Sequence, residues 1–339
     1  MVVELFIRAK CTDKEMGKRK GQKFQLDEFD TVIDTDTDCF DIETGKVLFK
    51  FRKNVFPKEA LNDARESLLK LGKTKNNQRA GASSTGGYSS GSICGYFDKP
   101  KLRYGDKRAG AVCRKTAFNR DHADKFEKAI PLLTLTNKWY KELMPEEYLA
   151  QLNRAEMTRY RIRDTVFSTI TVNHNFRTSL HKDKGDFKEG FGNLVIIEEG
   201  EYSGGQTGFP RFGVCVDCRT GDYLAMQVHE WHCNTEIVGE DYSRLALVCY
   251  LREKIKDCVG HHVYSVKADE GLGTVLTELS EKVVPQDYIY IFYPDKATLK
   301  QKKASVFYNH VVSEEGNHTK EFSEKYLRDA GFDKIDYLW

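Results

Sequence analysis

Beyond residue 164 the apolar positions fall into short β-branched runs, at 165–172, 193–197, 213–216, 223–228 and 245–251. Glycine-rich turns such as EEGEYSGGQTGFPRFG and RTGD separate them. Several short strands at this spacing predict a double-sheet jelly roll, a double-stranded β-helix that gathers sequence-distant residues at one mouth. The earlier part is more helical. ETGKVLFKFRKNVFP reads as a turn and a strand, and Pro57 opens a helix through Glu59, Leu61, Ala64 and Leu69. A helix capped by Asn119 or Asp121 follows later. Residues 132–161 form one or two more, with Pro145 starting the second and Trp139, Tyr140 and Leu143 on an apolar face. The basic run 14–23 reads as a solvated loop, and 74–92, rich in Gly, Ser, Asn and Lys, as a mobile loop able to close over a substrate. Past Lys254, helices are expected near 296–302 and 320–330, with the aromatic strand YIYIFY ahead of them. The fold class is therefore α+β, a jelly-roll core with flanking helices. Three parts are expected: an elaboration at 1–160 that contributes to substrate binding, a catalytic core at 161–253, and an α/β elaboration at 254–339.

Composition narrows the function classes only slightly. The 339 residues, 40% of them apolar, suffice for a sizeable core. Nine irregularly spaced cysteines and no long apolar run point to a reducing compartment, cytoplasmic or nuclear, with no membrane association. A net charge of +2 confines any nucleic-acid surface to a local patch. Arg103, Lys107, Arg108, Arg114, Lys115 and Arg120 supply one, either as phosphate contacts or as ordinary charged surface. Within it, Arg114 and Asn119 are the named substrate candidates. A monomer is expected.

Candidate chemistry concentrates in NHNFRTSLHKDKGD, residues 173–186. Residues i and i+2 of a strand project to one side, so His181 and Asp183 can offer an imidazole and a carboxylate to one point. Non-haem Fe(II) oxygenases use two histidines and one carboxylate on one face of the metal, leaving positions for a cosubstrate and O2. The segment GDYLAMQVHEWHCNTEI offers His229 and His232, which face opposite sides of a strand. His232 stands where the apolar run turns polar, as a ligand at a mouth should, and His229 is left to a supporting or surface role. Arg244 opens the apolar strand RLALVCY, and a guanidinium there needs an anion. The carboxylate of a dicarboxylic cosubstrate matches its planar fork; an internal salt bridge is the alternative. Arg177 is a second candidate, for the cosubstrate's other end or for the substrate. A competing set, His122, Asp124 and His174, lies on a helical pattern where i and i+2 diverge. Cys215 and Cys218 have C-x-x-C spacing without a second pair and read as core thiols.

The segments NHNFRTSLHKDKGD, GFGNLVIIEEGEYSGGQTGFP, GDYLAMQVHEWHCNT and RLALVCY together resemble the TET/JBP family of Fe(II)/2-oxoglutarate dioxygenases, which oxidise the 5-methyl group of pyrimidines in DNA. The similarity runs from about Val47 to about Arg252. It implies His181, Asp183 and His232 as iron ligands, Arg244 as the 2-oxoglutarate clamp, and Asp186 as a residue facing the target base. It also implies O2 as co-reactant, DNA as partner, and a flipped-out nucleotide, because a methyl group in a stacked duplex cannot approach a recessed metal. The cysteine-rich zinc domain of animal members does not precede this core, so the compact protist, algal, phage or viral type is the nearer likeness. The target, thymine or 5-methylcytosine, stays open, since a carboxylate can accept from a ring N–H or an exocyclic amine. A protein or small-molecule hydroxylase and a non-catalytic DNA-binding or virion protein are the other readings.

Overall fold

A computed structural model describes residues 2–73, 91–99, 103–104, 107–108, 112–116, 118–119, 122–158 and 160–257, and the strands at 266–267, 274–275, 287–293 and 307–312. Two compact units divide the chain: 1–97 with 114–256, and 98–113 with 257–339.

In the first unit the strands before the helical region are β1 (Val3–Ile7), β2 (Thr31–Ile33), β3 (Thr37–Asp41), β4 (Val47–Arg52) and β5 (Gly91–Lys99). The two-residue strands β6 (Arg103–Tyr104) and β7 (Lys107–Arg108) pair as a hairpin in the second unit, and β8 (Val112–Lys115) follows. The core strands are β9 (Thr169–His174), β10 (Gly192–Glu199), β11 (Ser203–Gly204), β12 (Thr207–Phe209), β13 (Val214–Val216) and β14 (Tyr223–Met226). They continue with β15 (Cys233–Asn234), β16 (Ile237–Val238) and β17 (Ser243–Tyr250). A nine-stranded sheet in the order β1-β3-β4-β14-β10-β17-β9-β5-β8 faces a four-stranded sheet in the order β15-β12-β13-β2. Pairing is antiparallel along β4, β14, β10, β17, β9 and β5, whereas β1 joins β3, and β2 joins β13, in parallel. The sheets therefore reach beyond the expected 161–253 core, taking four strands from the first 52 residues.

Alternation along the strands fills the space between the sheets. Leu48, Leu194, Ile196, Leu224 and Met226 come from the large sheet and Ile33, Phe209, Val214 and Val216 from the small one, all buried in one cluster. Phe49 and Phe209 stack at 5.5 Å across it. Helices pack around the sheets, the first of them against the small one through Met16, which clusters with Cys215 and Cys233. α1 (Asp13–Lys18) stands near the N-terminus, α2 (Lys58–Leu68) follows Pro57, α3 is Ala123–Glu127, and α4 (Ile130–Leu143) and α5 (Pro145–Glu156) come next. Tyr140 of α4 is fully buried, stacks on Phe167 at 6.2 Å and accepts the Phe191 N–H at 3.2 Å. Proline sits in the first turn of α4 and of α5, where its missing N–H is harmless.

Several expectations change here. The basic run 14–23 is not wholly a loop: α1 forms because Thr12 and Glu15 close a capping box, a reciprocal pair that satisfies two free N–H groups. Neither Asn119 nor Asp121 caps α3. Its cap is His122, without a side-chain bond, and Asp121 is outside the described residues. The loop expected at 74–92 lies outside them up to residue 90, and Gly91 and Ser92 already belong to β5, with Ser92 buried. YIYIFY is part of a strand, Asp287–Tyr293, in a four-stranded antiparallel sheet with Val266–Lys267, Thr274–Val275 and Phe307–Val312. The helices expected at 296–302 and 320–330 lie outside the described residues. No helix among those described is long and apolar enough to cross a membrane.

Candidate active site

His181 and His232 stand opposite each other as an isolated antiparallel bridge, exchanging N–H···O bonds of 3.0 Å in both directions. That pairing brings their rings to 4.2 Å between centroids. Asp183, two residues on, is held by its N–H on the Val228 carbonyl at 2.9 Å. His181 Nε2 lies 3.4 Å from Asp183 Oδ1, and His232 Nε2 lies 3.8 Å from Asp183 Oδ2. The ligand atoms of all three fall within 4.8 Å of one another, as one metal ion requires.

The backbone fixes the ring tautomers. His181 Nδ1 is 2.9 Å from the Ser179 carbonyl, and His232 Nδ1 is 2.9 Å from the Glu230 carbonyl. A carbonyl can only accept, so each Nδ1 carries the proton and each Nε2 lone pair is left for a metal. Burial, with His181 next to it, holds the His232 imidazole down to about 4, in the neutral form that ligates. His229, whose role the sequence left open, backs the loop: Nδ1 lies 2.9 Å from the Asp183 carbonyl and Nε2 3.1 Å from that of Phe187.

Beside the triad lies a cavity of about 170 Å³. Its floor is the inner face of the large sheet. Arg244, Ala246, Val248 and Tyr250 alternate along β17, and Thr171 and Asn173 of β9 are the partners of Val248 and Ala246. Asp186, 7% exposed, lines the same cavity.

Arg244 is the electrostatic anomaly of the cavity. It is 2% exposed, and its guanidinium makes one hydrogen bond, 3.0 Å to the Gly205 carbonyl. No carboxylate pairs with it among the described residues, so the internal salt bridge is not found. Desolvation pulls its pKa below the ordinary arginine value. A buried cation left so is costly unless an anion joins it. Two features that the sequence did not single out hold it. Gly204 and Gly205 have φ of 80° and 77°, and a side chain on Gly205 would come within 3.2 Å of the Arg244 Nε. Asn175, itself left-handed at φ 47°, accepts the Arg244 N–H at 2.7 Å and donates its own N–H to the Arg244 carbonyl at 2.9 Å. The only signals in the sequence were a Gly-Gly pair and an Asn after a strand.

Other candidates go elsewhere. Arg177 is absent from the cavity wall. Its Nη2 donates to the Phe24 carbonyl at 2.7 Å and its Nη1 lies 3.6 Å from Glu236. Asn119 also stands outside the metal cavity, its Oδ1 accepting the Gly95 N–H at 2.6 Å and the Thr116 hydroxyl at 2.7 Å. Arg114 lies on β8, but its side chain is outside the described residues, as are those of Arg103, Lys107, Arg108 and Arg120. In the competing set, His122 caps α3 and His174 lies 3.1 Å from the Ser243 hydroxyl. Cys215 and Cys218 are buried free thiols, and burial raises the pKa of both, Cys215 to about 12.

A double-sheet barrel with two histidines, one carboxylate and a buried cation at its mouth defines the class of metal-dependent oxygenases. Residues 92–253 match Tet_JBP, the oxygenase domain of the 2OGFeDO superfamily. Thymine dioxygenase JBP1 of Trypanosoma brucei brucei is 37% identical over 172 residues, 49% of this chain and 20% of that protein. The bifunctional helicase and thymine dioxygenase JBP2 of Leishmania braziliensis is 36% identical over 205 residues, 60% of this chain and 18% of that one. The chain thus spans about a fifth of the length of these curated relatives. Among solved structures, NgTET1 in complex with 5mC DNA aligns with a TM-score of 0.48 and 16% identity, covering 70% of this chain and 82% of that one.

Proposed function

We propose that this protein is an Fe(II)/2-oxoglutarate-dependent dioxygenase that hydroxylates the 5-methyl group of a pyrimidine in DNA, with thymine ahead of 5-methylcytosine. The observation that carries the reading is the pairing, in one cavity, of a His181–Asp183–His232 triad with a buried Arg244 that has no carboxylate partner among the described residues. The preference for thymine is supported by the names of the JBP1 and JBP2 relatives.

In this reading the Nε2 atoms of His181 and His232 and the Asp183 carboxylate hold Fe(II). The donor set fits: two neutral imidazoles and one carboxylate, with both Nδ1 protons on backbone carbonyls. Arg244 binds the distal carboxylate of 2-oxoglutarate, gaining the anion that its burial demands. When bound, iron and cosubstrate supply O2 activation, releasing succinate and CO2 as a C–H bond becomes C–OH. Asp186 faces the target base, accepting a ring N–H from thymine or an amine hydrogen from 5-methylcytosine. The buried cavity requires the nucleotide to leave the stack. In chain order an elaboration at 1–160, contributing substrate contacts that include Arg114 and Asn119, precedes the catalytic core at 161–253, and an α/β elaboration at 254–339 follows it. The enzyme acts as a monomer in a reducing, DNA-containing compartment, cytoplasmic or nuclear.

The test is nucleoside analysis of DNA incubated with the full chain, Fe(II) and 2-oxoglutarate. A 5-hydroxymethyl nucleoside from thymine DNA is expected, with succinate released. If neither thymine nor 5-methylcytosine DNA yields such a product, while succinate forms with a peptide or small molecule, the DNA reading is wrong.

A further inference from the structure

A second cavity, of about 340 Å³, lies in the same compact unit and shares no residue with the first. Its polar wall consists of Tyr96, Lys115, Asn119, Glu127, Arg161 and Arg163. They come from β5, β8, the turn at 118–119, α3 and the loop ahead of β9. Three are cations and one is an anion. Arg163, in the left-handed region at φ 50° that non-glycine residues seldom adopt, is tied to Glu127. Lys115 and Arg161 have no carboxylate partner among the described residues.

Asn119 adds an independent observation. It is 9% exposed, and its Oδ1 is already committed to the Gly95 N–H and the Thr116 hydroxyl. The end of the amide left for a ligand is Nδ2, which can only donate. A donor on the wall beside two cations without a carboxylate partner among the described residues suits an anion with several acceptor oxygens. Among the described residues no carboxylate pairs with Lys115 or Arg161, and the one in the wall, Glu127, is engaged by Arg163.

Position relative to the metal cavity identifies the anion. The Tyr96 N–H donates to the Ser168 carbonyl at 2.8 Å, and the Ser168 hydroxyl accepts the Arg252 N–H at 3.0 Å. Arg252 bridges Asp186, which lines the metal cavity. The two cavities are thus joined by a short run of hydrogen bonds, one of them through the Ser168 hydroxyl, at the Asp186 end of the sheet. We propose that the second cavity binds a backbone phosphate of the DNA strand whose target base enters the metal cavity, with Arg161, Lys115 and the Asn119 amide as its donors. Mixed arginine, lysine and amide donors are how proteins hold phosphodiester oxygens and fix a strand's register. This inference rests on the DNA reading above.

Salt-dependent DNA binding by the full-length protein tests it. Arg161→Gln should weaken binding of a short duplex about tenfold and reduce the slope of log affinity against log salt by about one, as expected for one lost phosphate contact. Arg161→Lys should restore most of the slope. Glu127→Gln, which frees Arg163 and removes the carboxylate that repels a phosphate, should tighten binding; a merely structural role would not predict that sign. Each variant is compared at an unchanged melting temperature. Wild-type affinity and slope in Arg161→Gln, with DNA still hydroxylated, would overturn the inference and leave the function standing. Failure of the wild type to bind DNA at all would remove both. If inorganic phosphate at fixed ionic strength raises the melting temperature of the wild type but not of Arg161→Gln, while the two bind DNA equally, the cavity serves a free anion and the assignment to DNA is wrong.

Discussion

Arg244 is buried with one hydrogen bond, to the Gly205 carbonyl, and no carboxylate partner among the described residues. Replacing it with glutamine should raise the KM for 2-oxoglutarate at least tenfold, since a charge-assisted bond is worth about 1.5–3 kcal/mol. The same change should leave the ligand-free protein no less stable, because it removes a buried, unpaired charge. Turnover against 2-oxoglutarate concentration and a melting curve read the two effects separately. Loss of stability together with an unchanged KM would show that the guanidinium is structural. His181→Ala and Asp183→Ala each remove one of the three proposed ligands and should abolish both hydroxymethyl product and stoichiometric iron binding, measured on the purified protein.

At the scale of elements, the site depends on how loops are pinned to sheets. His229 ties the 183–187 loop through two carbonyls, so His229→Ala should weaken metal affinity about 10- to 100-fold with the sheets intact. Metal titration alongside circular dichroism checks this; unchanged affinity would reduce His229 to a packing residue. Phe49, fully buried and stacked on Phe209, joins the two sheets, and Phe49→Ala should cost about 3–5 kcal/mol in denaturant unfolding. β10, β14 and β17 were readable because each is a nearly continuous apolar run, buried along most of its length. β9 begins later than its apolar run, at Thr169, and extends to His174 because β17 pairs with it to that residue. Such an end is set by a neighbour rather than by local composition.

For the whole molecule, a metal and a cosubstrate that bind only the folded state must raise its stability by mass action. At a hundredfold excess over Kd a single ligand contributes about 2.7 kcal/mol. Under anaerobic conditions the melting temperature should rise with metal, and rise again with 2-oxoglutarate only when metal is present. In Arg244→Gln the second step should vanish and the first remain. A 2-oxoglutarate shift independent of both metal and Arg244 would place its binding elsewhere.

Local rules were enough to select His181 and Asp183, because strand geometry puts i and i+2 on one side whatever the rest of the chain does. They were enough, too, to prefer His232 over His229 and to mark Arg244 as a buried cation seeking an anion. What the tertiary structure alone decided is where distant side chains go. Arg177 and Asn119 were weaker candidates by sequence than Arg244, and the sequence did not say where they go: one reaches the Phe24 carbonyl and the other lines a separate cavity. A side chain's partners come from segments far along the chain, and no local pattern encodes them. The bridge that sets the His181 and His232 rings 4.2 Å apart exists only once β12 and β15 pair and the two sheets close on each other.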